Sequence, residues 1–146
     1  MQLSSEGGQI ANPDFSVYHA TRWRIEGFVE AVRQEVAAFG TDFLLVEPGP
    51  TTTTFAAGLD IADALPVYDD TAAGNLRNAL TRGEFAIKGD ARKCVAAIIA
   101  AAGAANPPLR FPPGSTAYQN IEAALSQRLD ALWAMKNVAY SADRQE

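Results

Sequence analysis

The stretch Thr41–Pro50, TDFLLVEPGP, limits what this chain can fold into more than any other part of it. Phe43 to Val46 form an apolar run with no polar residue alternating into it. A strand with one wet face alternates polar and apolar side chains, whereas a strand covered on both faces does not. The run therefore predicts an interior strand of a parallel sheet over residues 41–47, ended abruptly by Pro48 and Gly49. Upstream, Ile25, Phe28, Val29, Val32 and Val36 recur at helical spacing and predict one apolar stripe on a helix from Ser16 to Phe39. Ser16 is its predicted N-cap and Gly40 its stop. Residues 2–5 suit a strand end, and a loop with Gly7, Gly8, Asn12 and Pro13 follows. Strand, helix and strand in this order make a βαβ unit with a right-handed parallel crossover.

Downstream, residues 51–65 are Thr-rich and weakly periodic, which predicts a loop with a short helix. A helix is expected over Asp70–Leu80, and another runs through Ala102 with Asp90 as its N-cap. The run CVAAIIAAAGAA, Cys94 to Ala105, is about half of what a bilayer span needs and reads as a buried, Ala-rich helix with Cys94 in the core. In NPPLRFPPGS the prolines leave room only for an edge strand near residues 109–111. Ser115 is the predicted cap of a last amphipathic helix carrying Tyr118, Ile121, Leu125, Leu129 and Leu132. Residues 139–146 are expected to fray. The whole chain, 1–146, is read as a single α/β domain with about three parallel strands and flanking helices.

Composition narrows the function classes. A net charge of −5 is the wrong sign for non-specific nucleic-acid binding, and Arg22, Arg24 and Arg33 are interspersed with Glu26, Glu30 and Glu35. One cysteine and one histidine exclude a Cys/His zinc centre, and no disulfide can form within the chain. With neither a leader nor a membrane span visible, the expected location is the cytoplasm. Asp60, Asp63, Asp69 and Asp70 lack the spacing of a calcium loop and read as solvated acids, so no metal site is assigned. Trp23 and Trp133 read as packing or interface residues and His19 as a helix-surface or packing residue. Ser5 has no nucleophile-elbow context for a hydrolase triad with His19.

Tyr18 and Arg22 carry the candidate chemistry. They stand four apart on one helix face. A phenol is a weak acid at neutral pH, and a cation one turn away favours its phenolate. Ser5, across the loop, is placed to polarise a substrate carbonyl beside the tyrosine. By itself a Tyr/Arg pair at this spacing is an ordinary helix contact.

The surrounding motifs give it a context. The chain resembles the short-chain dehydrogenases/reductases from their catalytic strand to their C-terminus. LSSEGG resembles the family's catalytic-serine strand, with Ser5 thirteen positions before Tyr18; YHATR resembles Tyr-x-x-x-Lys with Arg22 in the last position; VEPGPTTTT resembles the Pro-Gly motif beside the nicotinamide; and NPPLRFPPG resembles the last strand. The resemblance implies a Rossmann-like fold, here a truncated half, and NAD- or NADP-linked interconversion of a carbonyl and an alcohol. It implies that Tyr18 is the proton donor or acceptor, that Ser5 orients the substrate, and that Arg22 stands in for the lysine. Pro48, Gly49 and Thr53 would line the nicotinamide pocket.

No segment resembles the Gly-rich βαβ half that holds the rest of the dinucleotide. The isolated chain is therefore expected to be catalytically silent. Its alternatives are a non-enzymatic, homo-oligomeric interaction module and one half of a split oxidoreductase completed by a separate nucleotide-binding chain. A bare sheet edge is a template for pairing. The expected assembly is a dimer through the helix of residues 16–39 or through that edge, with no nucleic-acid or membrane partner.

Overall fold

The computed structural model of the chain describes residues 1–84 and 86–144. Three short strands, β1 (Gln2–Leu3), β2 (Leu45–Val46) and β3 (Arg110–Phe111), form a parallel sheet in the order β1-β2-β3. Gln2 is in register with Leu45, and Leu45 with Arg110. The run that predicted an interior strand does sit in the middle, and Leu45 and Val46 are fully buried. The ladder reaches beyond the named strands: Gln2 N–H donates to Leu44, Ser4 N–H to Val46 and Glu6 N–H to Pro48. Residues 41–43 are not in the strand, which begins later than the sequence suggested.

Five helices surround the sheet among the described residues: α1 (Ser16–Glu35), α2 (Ala72–Thr81), α3 (Ala91–Ala102), α4 (Ser115–Ala134) and α5 (Lys136–Tyr140). A short turn at Ala37–Phe39 extends α1, and Gly40 closes it in the left-handed conformation at φ 66°. Asp90 caps α3 by accepting from the Lys93 N–H. The predicted loop of residues 51–65 holds one short turn at Ala56–Gly58. The fraying expected from residue 139 is not seen at first: α5 continues through Tyr140, and Gln145 and Glu146 lie outside the described residues.

Two caps differ from expectation. Ser16 and Ser115 are the first residues of their helices rather than caps, and neither Phe15 nor Gly114 before them makes a side-chain cap bond. The chain enters α4 from Pro112-Pro113 through Gly114 at φ 104°, a turn that a residue with a Cβ resists.

Burial also departs from the apolar pattern. On α1 only Val29 of the predicted stripe is buried, and Phe28 is 60% exposed; the buried face is His19, Glu26 and Val29. Helix α3 has no fully buried residue: Ala91, Cys94, Ala97 and Ile98 are half-buried, while Val95 and Ile99 are more than half exposed. Cys94 is half-buried rather than core. On α4 Ala117 and Ile121 are buried while Leu125, Leu129 and Leu132 face outward. The reason is geometric: a three-stranded sheet has too little surface to cover five helices. No helix among the described residues is long and apolar enough to cross a membrane.

Candidate functional site

The ends of β1 and β2 and the first turns of α1 meet at one cleft of about 480 Å³. Ser5, Tyr18, Arg22, Pro48, Gly49 and Thr53 all line it. They come from three segments separated by loops, so their convergence is a product of the fold and not of sequence proximity.

Ser5 follows β1 and opens the turn Glu6–Gly8. Its Oγ accepts from the Gly7 N–H at 3.1 Å, so the turn occupies an acceptor lone pair and leaves the hydroxyl proton to donate. Tyr18 packs edge-on against Phe15 and Phe55, each with ring centroids 6.0 Å apart. A Cβ on Gly7 would come within 3.1 Å of the Tyr18 ring and 2.9 Å of His19 Nδ1, so only glycine lets the turn close onto α1 here. Arg22 places its guanidinium carbon 4.9 Å from the Tyr18 ring centroid, over the ring. Its buried Nε has no hydrogen-bond partner among the described residues.

His19 is a packing residue. Its Nδ1 bonds the Gly7 carbonyl at 2.8 Å and its Nε2 the Asn12 N–H at 2.8 Å, which fixes the Nδ1-protonated tautomer. Trp23 packs as well, donating to the Ile10 carbonyl at 3.2 Å beneath the Arg128 guanidinium. Of the four aspartates read as solvated, Asp69 pairs with Arg77 at 2.6 Å.

The opposite wall begins at Pro48. Gly49 lies against α4, where a Cβ would sit 3.1 Å from the Ala117 nitrogen. Thr51 Oγ1 donates to the Gly49 carbonyl at 2.9 Å. Thr53 is exposed and its hydroxyl accepts from the Phe55 N–H at 3.3 Å. Glu6 also lines the cleft, and burial pushes its carboxyl above the usual range although the Asn120 amide and His19 work against this.

Beneath the cleft lies a polar cluster that sequence reasoning missed. Glu26, buried in α1, accepts from Ser4 Oγ and Gln9 Nε2 at 2.6 Å and from Arg110 Nη1 at 2.8 Å. Arg110 on β3 also pairs with Glu30 at 2.6 Å and with the buried Glu47. Burial and the neighbouring Glu26 charge push the Glu47 carboxyl up to about 7, against the pull of Arg110. Burial opposes the Arg110 charge, but bonds to Glu26 and Glu30 and the Glu47 charge outweigh it and hold the guanidinium charged. The available sequence signals were an acid closing an apolar strand and an arginine between prolines.

A flat nicotinamide ring needs an apolar slot with a few polar groups at its rim, and the segment from Pro48 to Phe55 facing Tyr18 fits that requirement. The remainder of a dinucleotide does not fit. Arg22 is the one Lys or Arg among the described lining residues, and Asp90 already caps the α3 N-terminus that borders the cleft.

Comparison with known proteins follows the same outline. No family model matches the chain. It is 28% identical over 141 residues to Oxidoreductase BOA17 of Botryotinia fuckeliana, covering 94% of this chain and 51% of that protein. It is 31% identical over 115 residues to a 3-ketodihydrosphingosine reductase of Bacteroides thetaiotaomicron, covering 78% of this chain and 43% of that protein. The crystal structure of a short-chain dehydrogenase from Streptomyces avermitilis superposes with a TM-score of 0.81 at 30% identity, over 97% of this chain and 51% of that one. The chain thus spans about half the length of the relatives it matches.

Proposed function

Because this chain is homologous to the C-terminal half of the short-chain dehydrogenases/reductases, we propose that it carries the substrate and nicotinamide half of an NAD(P)-linked carbonyl/alcohol oxidoreductase site, and that by itself it is catalytically silent. The observation that carries this reading is the convergence of Ser5, Tyr18, Arg22, Pro48, Gly49 and Thr53 on one cleft.

The residues divide the work by their chemistry. Tyr18 holds the proton that a carbonyl oxygen gains on reduction or an alcohol loses on oxidation. Ser5, its acceptor side committed to Gly7, donates a hydrogen bond to that oxygen and polarises the carbonyl. Phe55 and Phe15 pack edge-on against the tyrosine ring. Pro48, Gly49 and Thr53 would hold the nicotinamide end of the cofactor, which supplies or accepts the hydride when bound. Arg22 supplies a positive charge over the ring, and its planar fork differs from the point charge of a lysine.

Among the described residues the outer edge of β1 is unpaired, which favours a second reading: another chain completes the molecule. That chain is either a separate nucleotide-binding polypeptide or a second copy in a non-enzymatic assembly. Calorimetric titration with NADPH and NADH tests the main reading. The expected result is no site tighter than about 100 μM, roughly −5.5 kcal/mol, for the chain alone, and Tyr18-dependent turnover once a nucleotide-binding half is supplied. Tight binding by the chain alone overturns the silence; completed assemblies that turn over equally with Tyr18→Phe overturn the catalytic assignment.

A further inference from the structure

The cleft also carries an apolar track. Helix α3 contributes Ala91, Cys94, Val95 and Ile98, at the i, i+3, i+4 and i+7 spacing of one face. Helix α2 adds Leu76 and Leu80, one turn apart, and the segment between the two helices adds Ile87. The charged side chains of these helices stay out of the lining; Arg77 is turned to Asp69.

The track is fastened to the catalytic end. Thr51 and Gly89 form a parallel bridge, and the Thr52 N–H donates to the Gly89 carbonyl at 2.9 Å. A Cβ on Gly89 would lie 2.6 Å from the Pro50 carbonyl, so glycine is required for this approach. Ser5 and Tyr18, the polar groups that would handle one oxygen function, line the same cleft as this row of aliphatic side chains. From Ala91 to Ile98 the α3 face is about 10 Å long, at about 1.5 Å per residue.

We propose that the substrate is single-headed and aliphatic: a straight-chain ketone or secondary alcohol whose oxygen-bearing carbon meets Ser5 and Tyr18 and whose alkyl tail lies along α2 and α3. The proposal rests on the oxidoreductase reading for the head and on the apolar track for the tail. A tail of this kind suits the α2 and α3 part of the wall, which is lined by Leu76, Leu80, Ile87, Ala91, Val95 and Ile98 and gives a charged or polyhydroxylated tail little to bond.

The test is a calorimetric series on the whole chain with straight-chain 2-ketones from butanone to dodecan-2-one, a binding readout that needs no turnover. Kd is expected to fall about two- to fourfold for each added methylene and to level off once the tail outruns the about 10 Å track. Ile98→Glu, which sets a carboxylate in the wall, is expected to abolish the length dependence, and Tyr18→Phe to leave it in place. A Kd independent of chain length in the unmodified protein overturns the proposal without any variant. Length dependence that survives Ile98→Glu in a folded variant also overturns it. If the length dependence is present but Tyr18→Phe has no effect in a nucleotide-completed assembly, the oxidoreductase reading fails and the tail site stands. If a completed assembly turns over short ketones with no chain-length effect on binding, the tail site fails and the oxidoreductase reading stands.

Discussion

At the scale of single residues, the Tyr18–Arg22 pair decides how the site would work. A guanidinium over the ring is attracted to the ring's face by its quadrupole. A compact ammonium on a flexible stem is free to approach hydroxyl groups instead. In an assembly completed by a nucleotide-binding half, Arg22→Lys is therefore expected to raise kcat, and Tyr18→Phe to lower it by about 100-fold or more. Both are read from steady-state turnover, and an Arg22→Lys variant slower than the parent would count against the ring-face argument. These residues were legible because their relation is local or set by short loops: Tyr18 and Arg22 by helical spacing, Ser5 and Pro48-Gly49 by the strand ends that carry them. The Glu26–Arg110–Glu47 cluster was not. Arg110 is 84 positions from Glu26 and 63 from Glu47, and no local pattern records that separation. In the sequence Glu26 is one of several interspersed charges on α1, and only the fold sets Ser4, Gln9 and Arg110 around it.

At the scale of elements, that cluster ties α1 to the sheet through side chains of α1, β3 and the residues after β1 and β2. Removing one partner of a buried ion pair strands the others, so Glu26→Ala is expected to cost about 3–5 kcal/mol in chemical denaturation. The turn Glu6–Gly8 is packed as closely: a Cβ on Gly8 would collide with the Glu26 carboxylate, and Gly8→Ala is expected to destabilise by about 1–3 kcal/mol. The cluster also sets a pH dependence. Below about pH 4.5 Glu47 is protonated both folded and unfolded. Between there and about pH 7 the unfolded chain gives up the proton while the folded chain keeps it. Stability therefore falls as pH rises through this window, by up to about 1.4 kcal/mol per pH unit, and the loss is complete above it. The raised Glu6 carboxyl acts in the same direction. Denaturation midpoints measured across the window should decline, and Glu47→Gln should flatten the decline; a rise with pH contradicts the assignment. The same scale shows why apolar periodicity misled on α3. Its helical form followed from Asp90 and its alanines, but burial needs a neighbour, and the three strands present do not extend over it.

At the scale of the whole molecule, the surface is too large for a compact monomer. A folded protein of 15.5 kDa exposes about 7,200 Å² by the usual scaling, whereas this chain exposes 10728 Å². The excess, roughly 3,500 Å², is several times the ~800 Å² that each partner hides in a standard interface and belongs to the range of obligate assemblies. Much of it is apolar. Phe28 on α1, Leu129, Leu132 and Trp133 on α4, and Val138 and Tyr140 on α5 are all exposed, and Leu3 stands on the unpaired edge of β1. Exposed apolar area of this extent is covered in stable proteins. We therefore propose that the chain associates with a second copy, through α1 or through the β1 edge. Size-exclusion chromatography with light scattering at micromolar concentration should give a dimer or larger species, with a Tm that rises with concentration. Phe28→Asp disperses a dimer formed through α1, and Leu3→Lys one formed through the edge. A folded monomer with a concentration-independent Tm would refute self-association, and the uncovered face would then be the seat of a nucleotide-binding partner chain. That outcome would favour the split-enzyme reading, because the exposed area has the scale of an obligate interface and not of a transient contact.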